Sequence, residues 1–387
     1  MRTFAHRFAE DSAMPHTQTG TAEALLAELA TWVRHETPTT DPAAVNGLMD
    51  MARKGLAEAG ADLSRIPGRN GFGDILVART PGDGPPILVA GHLDTVWSHG
   101  TLTTMPYRVD GDRAHGPGIY DMKAGSFLAF HVVRSILTQG IATPRPITLL
   151  LTPDEEVGSP TSRDVIEREG ERARCVLIVE PANANGACVT ARKGVGRFVL
   201  KARGIGAHAG TSFADGASAV VELAAQIGRI HAMVDQARGI TLNVAPIWGG
   251  SRPNVIPEEA GCEIDLRVPT AADGARLEAA LLGLAPVDPR CTLTVTGGMN
   301  RPPFAETPGI TGLYETARDL AAPLGIDLPK AHRGGGSDGN FTAALGVPTL
   351  DGLGCPGAGA HAAHEHIQWR QLAPRAALLA SLLETID

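Results

Sequence analysis

Leu149-Leu150-Leu151-Thr152-Pro153-Asp154-Glu155-Glu156-Val157-Gly158-Ser159 is the stretch from which the fold can be read. An apolar run stops at a proline and gives way to three consecutive acids. Leu and Thr closed off by Pro read as a buried strand, placed over residues 146–152. Carboxylates at the mouth of a core strand need compensation for their charge. A divalent cation is the usual compensation, and two adjacent glutamates allow one to hold the metal while the other holds a water. Read alone, the same residues serve equally well as a solvated acidic turn.

Working outward, β-type runs at 74–80, 86–90 and 175–179 alternate with helical patterns at 21–36, 42–60 and 122–140. That alternation predicts an α/β fold with an open, mainly parallel sheet and helices on both faces. The character then changes. Strand patterns at 196–203, 240–248 and 261–268 and helical ones at 217–234 and 270–284 predict a compact α+β module with an antiparallel sheet, inserted over 192–303. Asn300-Arg301-Pro302-Pro303 reads as the return linker. A helix at 309–324, a glycine cluster at 334–336, a strand at 347–354 and a helix at 372–386 then resume the first domain, which comprises 1–191 and 304–387.

The 387 residues exceed one ordinary core, and 43% hydrophobic with 20% charged residues is a globular composition. A formal net charge of −8 argues against nucleic acid or an anionic membrane as the main partner. The 46 Gly and 28 Pro call for many tight turns, and aromatics at 4% leave Leu, Val, Ile and Ala to fill the cores. The five cysteines, Cys175, Cys188, Cys262, Cys291 and Cys355, are odd in number and form no CxxC pair. Reduced thiols and a cytoplasmic location are therefore expected rather than a disulfide scaffold. Basic residues near Met1 are not followed by an apolar segment, so neither a signal peptide nor a membrane span is expected. Residues 1–20 read as a poorly ordered lead-in.

Five side chains sit at or just beyond predicted strand ends: His92, Asp121, Glu156, Glu180 and His361. Open α/β sheets bind ligands there. Imidazole and carboxylate suit a borderline metal such as zinc. Five ligands suffice for two ions if one carboxylate bridges, and two ions about 3.5–4 Å apart share a water and lower its pKa. Each residue also has a plain reading: His92 as a turn histidine, His361 with His364 and His366 as a surface tract, and Asp154 as a turn former. His99, His115, Met122 and Cys355 carry only the plain reading.

Gly91-His92-Leu93-Asp94-Thr95-Val96 resembles the first zinc motif of the di-zinc aminoacylase, acetylornithine deacetylase, succinyl-diaminopimelate desuccinylase and glutamate carboxypeptidase family. Gly116-Pro117-Gly118-Ile119-Tyr120-Asp121-Met122-Lys123-Ala124-Gly125 resembles its second and Thr152–Ser159 its third. Ile178-Val179-Glu180-Pro181 and His361-Ala362-Ala363-His364-Glu365 resemble the last two. Each motif is weak alone, but five in family order span residues 91 to 365.

The resemblance implies two zinc ions per chain, with cobalt or manganese also compatible. Asp121 would bridge them, His92 and Glu180 completing one site and Glu156 and His361 the other. Asp94 would fix the His92 tautomer, a common supporting role for a carboxylate beside a metal-bound imidazole. Glu155 would be the general base acting on a metal-bridging hydroxide. A cis Asp121–Met122 peptide is implied as well. The inserted module would be a lid and dimerisation domain. In it His208, within Gly206-Ala207-His208-Ala209-Gly210, would reach the oxyanion in a partner subunit's site. Asn254 and Arg301 match substrate-contacting positions, and Gly335 lies in a glycine-rich loop resembling a pocket lining.

A planar guanidinium suits a carboxylate, and the flanks resemble the glutamate carboxypeptidase branch most. The implied activity is therefore cleavage of the amide to a C-terminal amino acid, Glu or Asp preferred, on a small peptide or N-acyl amino acid, by a homodimer. An N-acyl-amino-acid deacylase or dipeptidase of other specificity is the alternative. A non-catalytic binding homologue is disfavoured, since every ligand type and Glu155 are present.

Overall fold

The computed structural model of the chain describes residues 14–387. Two compact units emerge. One comprises the chain up to Ala191 with Glu306–His332 and Ser337–Asp387; the other comprises Arg192–Ala305 and Arg333–Gly336.

A six-stranded sheet runs through the first unit in the order Asp62–Ile66, Ile75–Arg79, Ile147–Thr152, Ile87–His92, Cys175–Ile178, Thr349–Leu350. Only Ile75–Arg79 runs against the rest. Successive side chains leave a strand on opposite faces, so a sheet covered on both sides must be apolar at every position. That is what Ile-Leu-Val-Ala and Ile-Thr-Leu-Leu-Leu achieve. Ile87, Val89, Leu149, Leu151 and Leu177 join one core with the helices Ala22–Val33, Pro42–Glu58, Ala124–Gln139, Pro308–Ala321 and Leu372–Thr385. Leu88, Ala90, Leu150, Val176 and Ile178 join a second core, with Val165 and Ile166 of helix Arg163–Arg172 and Phe341 of helix Gly339–Ala344.

Parallel register then determines where polar residues can emerge. Ile87 faces both Ile147 and Cys175, and His92 faces Thr152. The carboxyl ends of three central strands therefore finish side by side, and the residues that follow them share one edge of the sheet.

In the second unit an antiparallel sheet has the order Thr241–Gly249, Glu259–Val268, Gly194–Arg203, Thr292–Arg301. Phe198, Leu200, Ile264 and Leu266 pack with Leu223 and Ile230 of helix Ala219–His231 and Leu277 and Leu281 of helix Ala271–Leu282. The two ends of the inserted chain meet. Arg192 N–H donates to the Phe304 carbonyl (2.8 Å), and Phe304 N–H donates back (3.0 Å).

Several expectations are corrected. Asn300 and Arg301 close the strand Thr292–Arg301 rather than beginning a linker. Its apolar alternation is broken by Gly297, which holds φ +120° where a Cβ would lie 2.1 Å from the Arg197 carbonyl. The strand expected at 347–354 shortens to Thr349–Leu350, and Gly352 turns the chain at φ +73°. The polar strand Asp62–Ile66 and the charged helix Arg163–Arg172 were not anticipated, because neither carries a long apolar period. The supposed lead-in is fastened where it is described. His16 N–H and the Thr17 N–H and hydroxyl donate to Glu384 at 2.6–3.0 Å, and Thr17 and Thr19 are buried. Its first part, residues 1–13, lies outside the described residues. Among the described residues no helix is long and apolar enough to cross a membrane. All five cysteines are free and buried.

Candidate metal centre

His92 is the last residue of a central strand and is 1% exposed. Its Nδ1 lies 3.0 Å from the Asp94 carbonyl and 3.3 Å from Asp94 Oδ1, so a ring proton sits there and, in the neutral ring, Nε2 presents a lone pair. That lone pair faces two carboxylates, Asp121 Oδ1 at 3.4 Å and Glu180 Oε1 at 3.7 Å, and makes no hydrogen bond. Glu180 follows the strand Cys175–Ile178 and is buried.

Asp121 reaches the same edge by a different route. Gly118 takes φ +70°, and the Asp121–Met122 peptide is cis. While Oδ1 points at His92, Oδ2 lies 3.3 Å from His361 Nε2. His361 Nε2 is also 3.1 Å from Glu156 Oε2. His361 holds φ +60°, a left-handed conformation that a side chain disfavours and that functional loops tend to retain. Glu156 sits in the turn Glu155–Val157 directly beyond the strand Ile147–Thr152, and its Oε1 is buried without a hydrogen bond. Two groups result, His92–Asp121–Glu180 and Asp121–Glu156–His361, each with its ligand atoms within 4.8 Å of one another. They share Asp121.

The electrostatics of these groups call for a cation. Burial opposes a charge on His92, yet the carboxylates of Asp121 and Asp94 push its pKa well above the imidazole value. Asp121 and Glu156 push His361 up to about 10. Burial raises Asp121, but His361 and His92 more than reverse it and hold it below the carboxylate range; Glu156 is raised by burial. A field that strong must be answered by protons or by metal ions. The donor set of three carboxylates and two imidazoles, with a buried imidazole nitrogen and a buried carboxylate oxygen both unengaged, fits divalent cations.

Asp94 is fully buried and does more than orient His92. Oδ1 accepts the Glu155 N–H at 3.2 Å, and Oδ2 accepts the Glu156 N–H at 3.3 Å and the Thr39 hydroxyl at 2.8 Å. It thereby holds the turn that presents both glutamates. Asp154 is a turn former: it accepts from Thr161 N–H and Ser162 Oγ, both at 2.5 Å. Met122 Sδ accepts the His92 N–H at 3.3 Å. His99 lies 2.7 Å from Asp41, and the His115 ring lies 5.2 Å from that of His366, tilted by 37°. Glu155 belongs to neither ligand group.

The remaining candidates lie in the second unit. His208 is exposed, in a two-residue strand paired with Val255–Ile256. Its Nδ1 accepts the N–H groups of Gly210 and Thr211, each at 3.1 Å, which leaves the proton on Nε2. Asn254 is exposed and its carbonyl accepts the Ala209 N–H at 3.0 Å. Arg301 is only 4% exposed and packs against Gly336. The Gly335 carbonyl accepts from Arg192 at 3.2 Å. Arg192 was not singled out from sequence, and neither were Thr39 or Trp97. None lies in a motif pattern, and only tertiary contact reveals them.

The fold and the two ligand groups fit a metallohydrolase. The chain belongs to the peptidase family M20/M25/M40, whose sequence model matches residues 88–385. Carboxypeptidase G2 from Pseudomonas sp. (strain RS-16) is 29% identical over 363 residues, covering 91% of this chain and 86% of that protein. Succinyl-diaminopimelate desuccinylase from Cupriavidus taiwanensis is 28% identical over 329 residues, covering 79% and 83%. Among solved structures, aminopeptidase PepT from Bacillus cereus superposes with a TM-score of 0.74 at 21% identity, over 95% of this chain and 99% of that one. The M20 family metallo-carboxypeptidase Sso-CP2 from Sulfolobus solfataricus gives 0.71 at 14%, over 94% and 99%. These two establish the fold. Family membership makes the chain a peptide hydrolase that uses divalent metal.

Proposed function

We propose that the chain is a two-metal amidohydrolase that releases a C-terminal amino acid, Glu or Asp preferred, from a small peptide or an N-acyl amino acid. The observation that carries this reading is the pair of ligand groups sharing Asp121, with one oxygen aimed at each imidazole. His92, Asp121 and Glu180 would hold one cation, and Asp121, Glu156 and His361 the other. Two zinc ions suit the donors, with cobalt or manganese acceptable. When bound, such ions supply Lewis acidity for the scissile carbonyl and a lowered pKa for the attacking water.

The chain's own residues do the rest. Glu155 takes the proton of the attacking water and delivers it to the leaving nitrogen. Asp94 keeps that turn in place through the Glu155 and Glu156 amides and keeps the His92 proton on Nδ1. His208, with its proton on Nε2, would reach a partner subunit's site and donate to the developing oxyanion there. Arg301 and Asn254 orient the substrate, the guanidinium pairing with its α-carboxylate, and Gly335 lines the pocket.

The preference for an acidic leaving group is supported by the glutamate-carboxypeptidase character of the flanks and by the extent of similarity to carboxypeptidase G2. Similarity to the desuccinylase supports a second reading, an N-acyl-amino-acid deacylase or dipeptidase of other specificity. Release of free amino acid from N-acyl-Glu, N-acyl-Asp, N-acetylornithine, N-succinyl-diaminopimelate and small dipeptides by the zinc-loaded protein decides between them. Faster turnover of the N-acyl-Glu and N-acyl-Asp substrates is expected. A clear preference for any other member overturns the assignment.

A homodimer formed through the second unit completes the proposal. Thr241–Gly249 is an edge strand that exposes Ile247 (57%) and Trp248 (42%), an open edge of the kind a two-fold partner covers. Five reduced cysteines are in keeping with a cytoplasmic location.

A further inference from the structure

Glu365 is fully buried, yet it bonds to neither ligand group's imidazoles. Four N–H groups converge on its carboxylate. Oε1 accepts from the backbone of Tyr120 (2.9 Å) and Asp121 (3.0 Å); Oε2 accepts from Trp97 Nε1 (2.7 Å) and the backbone of Gly118 (2.9 Å). Three separate stretches are thereby tied to one side chain: the loop after His92 and Asp94, the turn that delivers Asp121, and the loop that carries His361.

The third of these is itself stiff. Ala362 N–H donates to the Gly359 carbonyl and Glu365 N–H to the Ala362 carbonyl, both at 2.9 Å. A Cβ on Gly359 would lie 2.9 Å from Glu365. These bonds place His361 and Glu365 in one tight, hydrogen-bonded turn. The Asp121 amide is held by the same carboxylate, so one group sets the separation between the shared ligand and His361, whose facing atoms stand 3.3 Å apart.

Resting on the two-cation reading above, we propose that Glu365 is a positioning residue that builds both cation sites at once, by fixing the Asp121 backbone relative to His361. A carboxylate is required because each oxygen receives two donors. An amide at this position would turn an N–H group toward two N–H groups, and one pair of bonds would be lost. Because Asp121 serves both ions, its displacement weakens both together. Loss of a ligand belonging to a single group, such as Glu180, acts first on one.

The test is titration of Zn²⁺, and separately Co²⁺, into the metal-stripped full chain, with calorimetry for affinity and stoichiometry and visible absorption for Co²⁺ coordination. Wild type is expected to take two ions. Glu365→Gln should weaken both by about 10–100-fold, the range for groups that orient metal ligands, and alter the Co²⁺ spectrum. Glu169→Gln removes another buried acid, one that pairs with Arg79, and should lower stability while leaving affinity and spectrum unchanged. Should Glu365→Gln fail to fold, Trp97→Phe deletes one donor at a half-buried position and should weaken both ions in the same direction by a smaller factor. Wild-type affinity and spectrum in Glu365→Gln, or in Trp97→Phe where that variant decides, overturn the inference. So does weakening of one ion alone. A wild-type chain that takes no divalent cation overturns the two-cation reading itself, and this inference with it.

Discussion

At the scale of the residue, the centre depends on side chains that serve two partners. Asp121 offers one oxygen to each imidazole, and Asp94 holds the His92 ring on one side and the Glu155 and Glu156 amides on the other. Glu155 and Glu156 are neighbours with different environments. The Glu156 side chain lies 3.1 Å from His361, whereas Glu155 stands outside both ligand groups, in keeping with the proton-carrier role proposed for it. Glu155→Gln keeps the shape and removes the proposed base. Its kcat is expected to fall by about 10²–10⁴-fold, with bound metal and melting temperature unchanged. Steady-state rates beside metal analysis of the same preparation check this, and a near-normal rate refutes the role. The motif around Glu155 was legible because three acids at a strand end are chemically unusual and because the stretch resembles a zinc motif of the family; the residue types alone left an acidic turn equally open. Thr39 and Trp97 were not legible, because a threonine 55 positions from Asp94 and a tryptophan 268 positions from Glu365 carry no local signal of contact.

At the scale of the element, strands, helices and turns act as rulers. The helix Ala124–Gln139 lies so close to the sheet that a Cβ on Gly125 would fall 1.8 Å from the Val179 carbonyl, one residue before Glu180. Backbone cannot yield as a flexible side chain can, so only glycine fits. Gly125→Ala should cost about 3 kcal/mol, the upper part of the overpacking range, and shift Glu180 with the strand end. The urea midpoint against wild type measures the cost, and an unchanged midpoint contradicts the close packing. The long helices were readable from their apolar periods: residues 42–60 were expected and Pro42–Glu58 is found, capped by Asp41. Short polar elements were not. Thr292–Arg301 alternates Thr with Leu and Val but is interrupted by Gly297 and Gly298, so its pattern fades where the structure still pairs it with Gly194–Arg203.

At the scale of the whole molecule, each unit has its own core; the main stretch of the second one begins and ends at the paired Arg192 and Phe304, and Arg333–Gly336 returns to it, with Lys193 N–H donating to the Arg333 carbonyl. Close entry and exit points are what an inserted, independently folding domain requires. Residues 192–305 expressed alone should fold cooperatively. The exposed edge strand Thr241–Gly249 should make that fragment a dimer. Circular dichroism with urea unfolding and sedimentation equilibrium check the two statements separately. An unfolded fragment refutes the independence, and a folded monomer refutes the dimer.

The sequence by itself determined the layered sheet, the order of the long apolar elements and the types of side chain at its carboxyl edge. These follow from apolar periodicity and from the rarity of acids and histidines beside core strands, both local properties. Only the tertiary structure decided which oxygen of Asp121 faces which imidazole, that Asp94 holds two amides as well as a ring, and that Glu365 ties three distant loops. Those facts depend on backbone register and on φ values such as those of Gly118 and His361, which bring together groups separated by up to 268 positions. No local pattern encodes a distance of 3 Å across such a gap; packing of the whole sheet and its loops does.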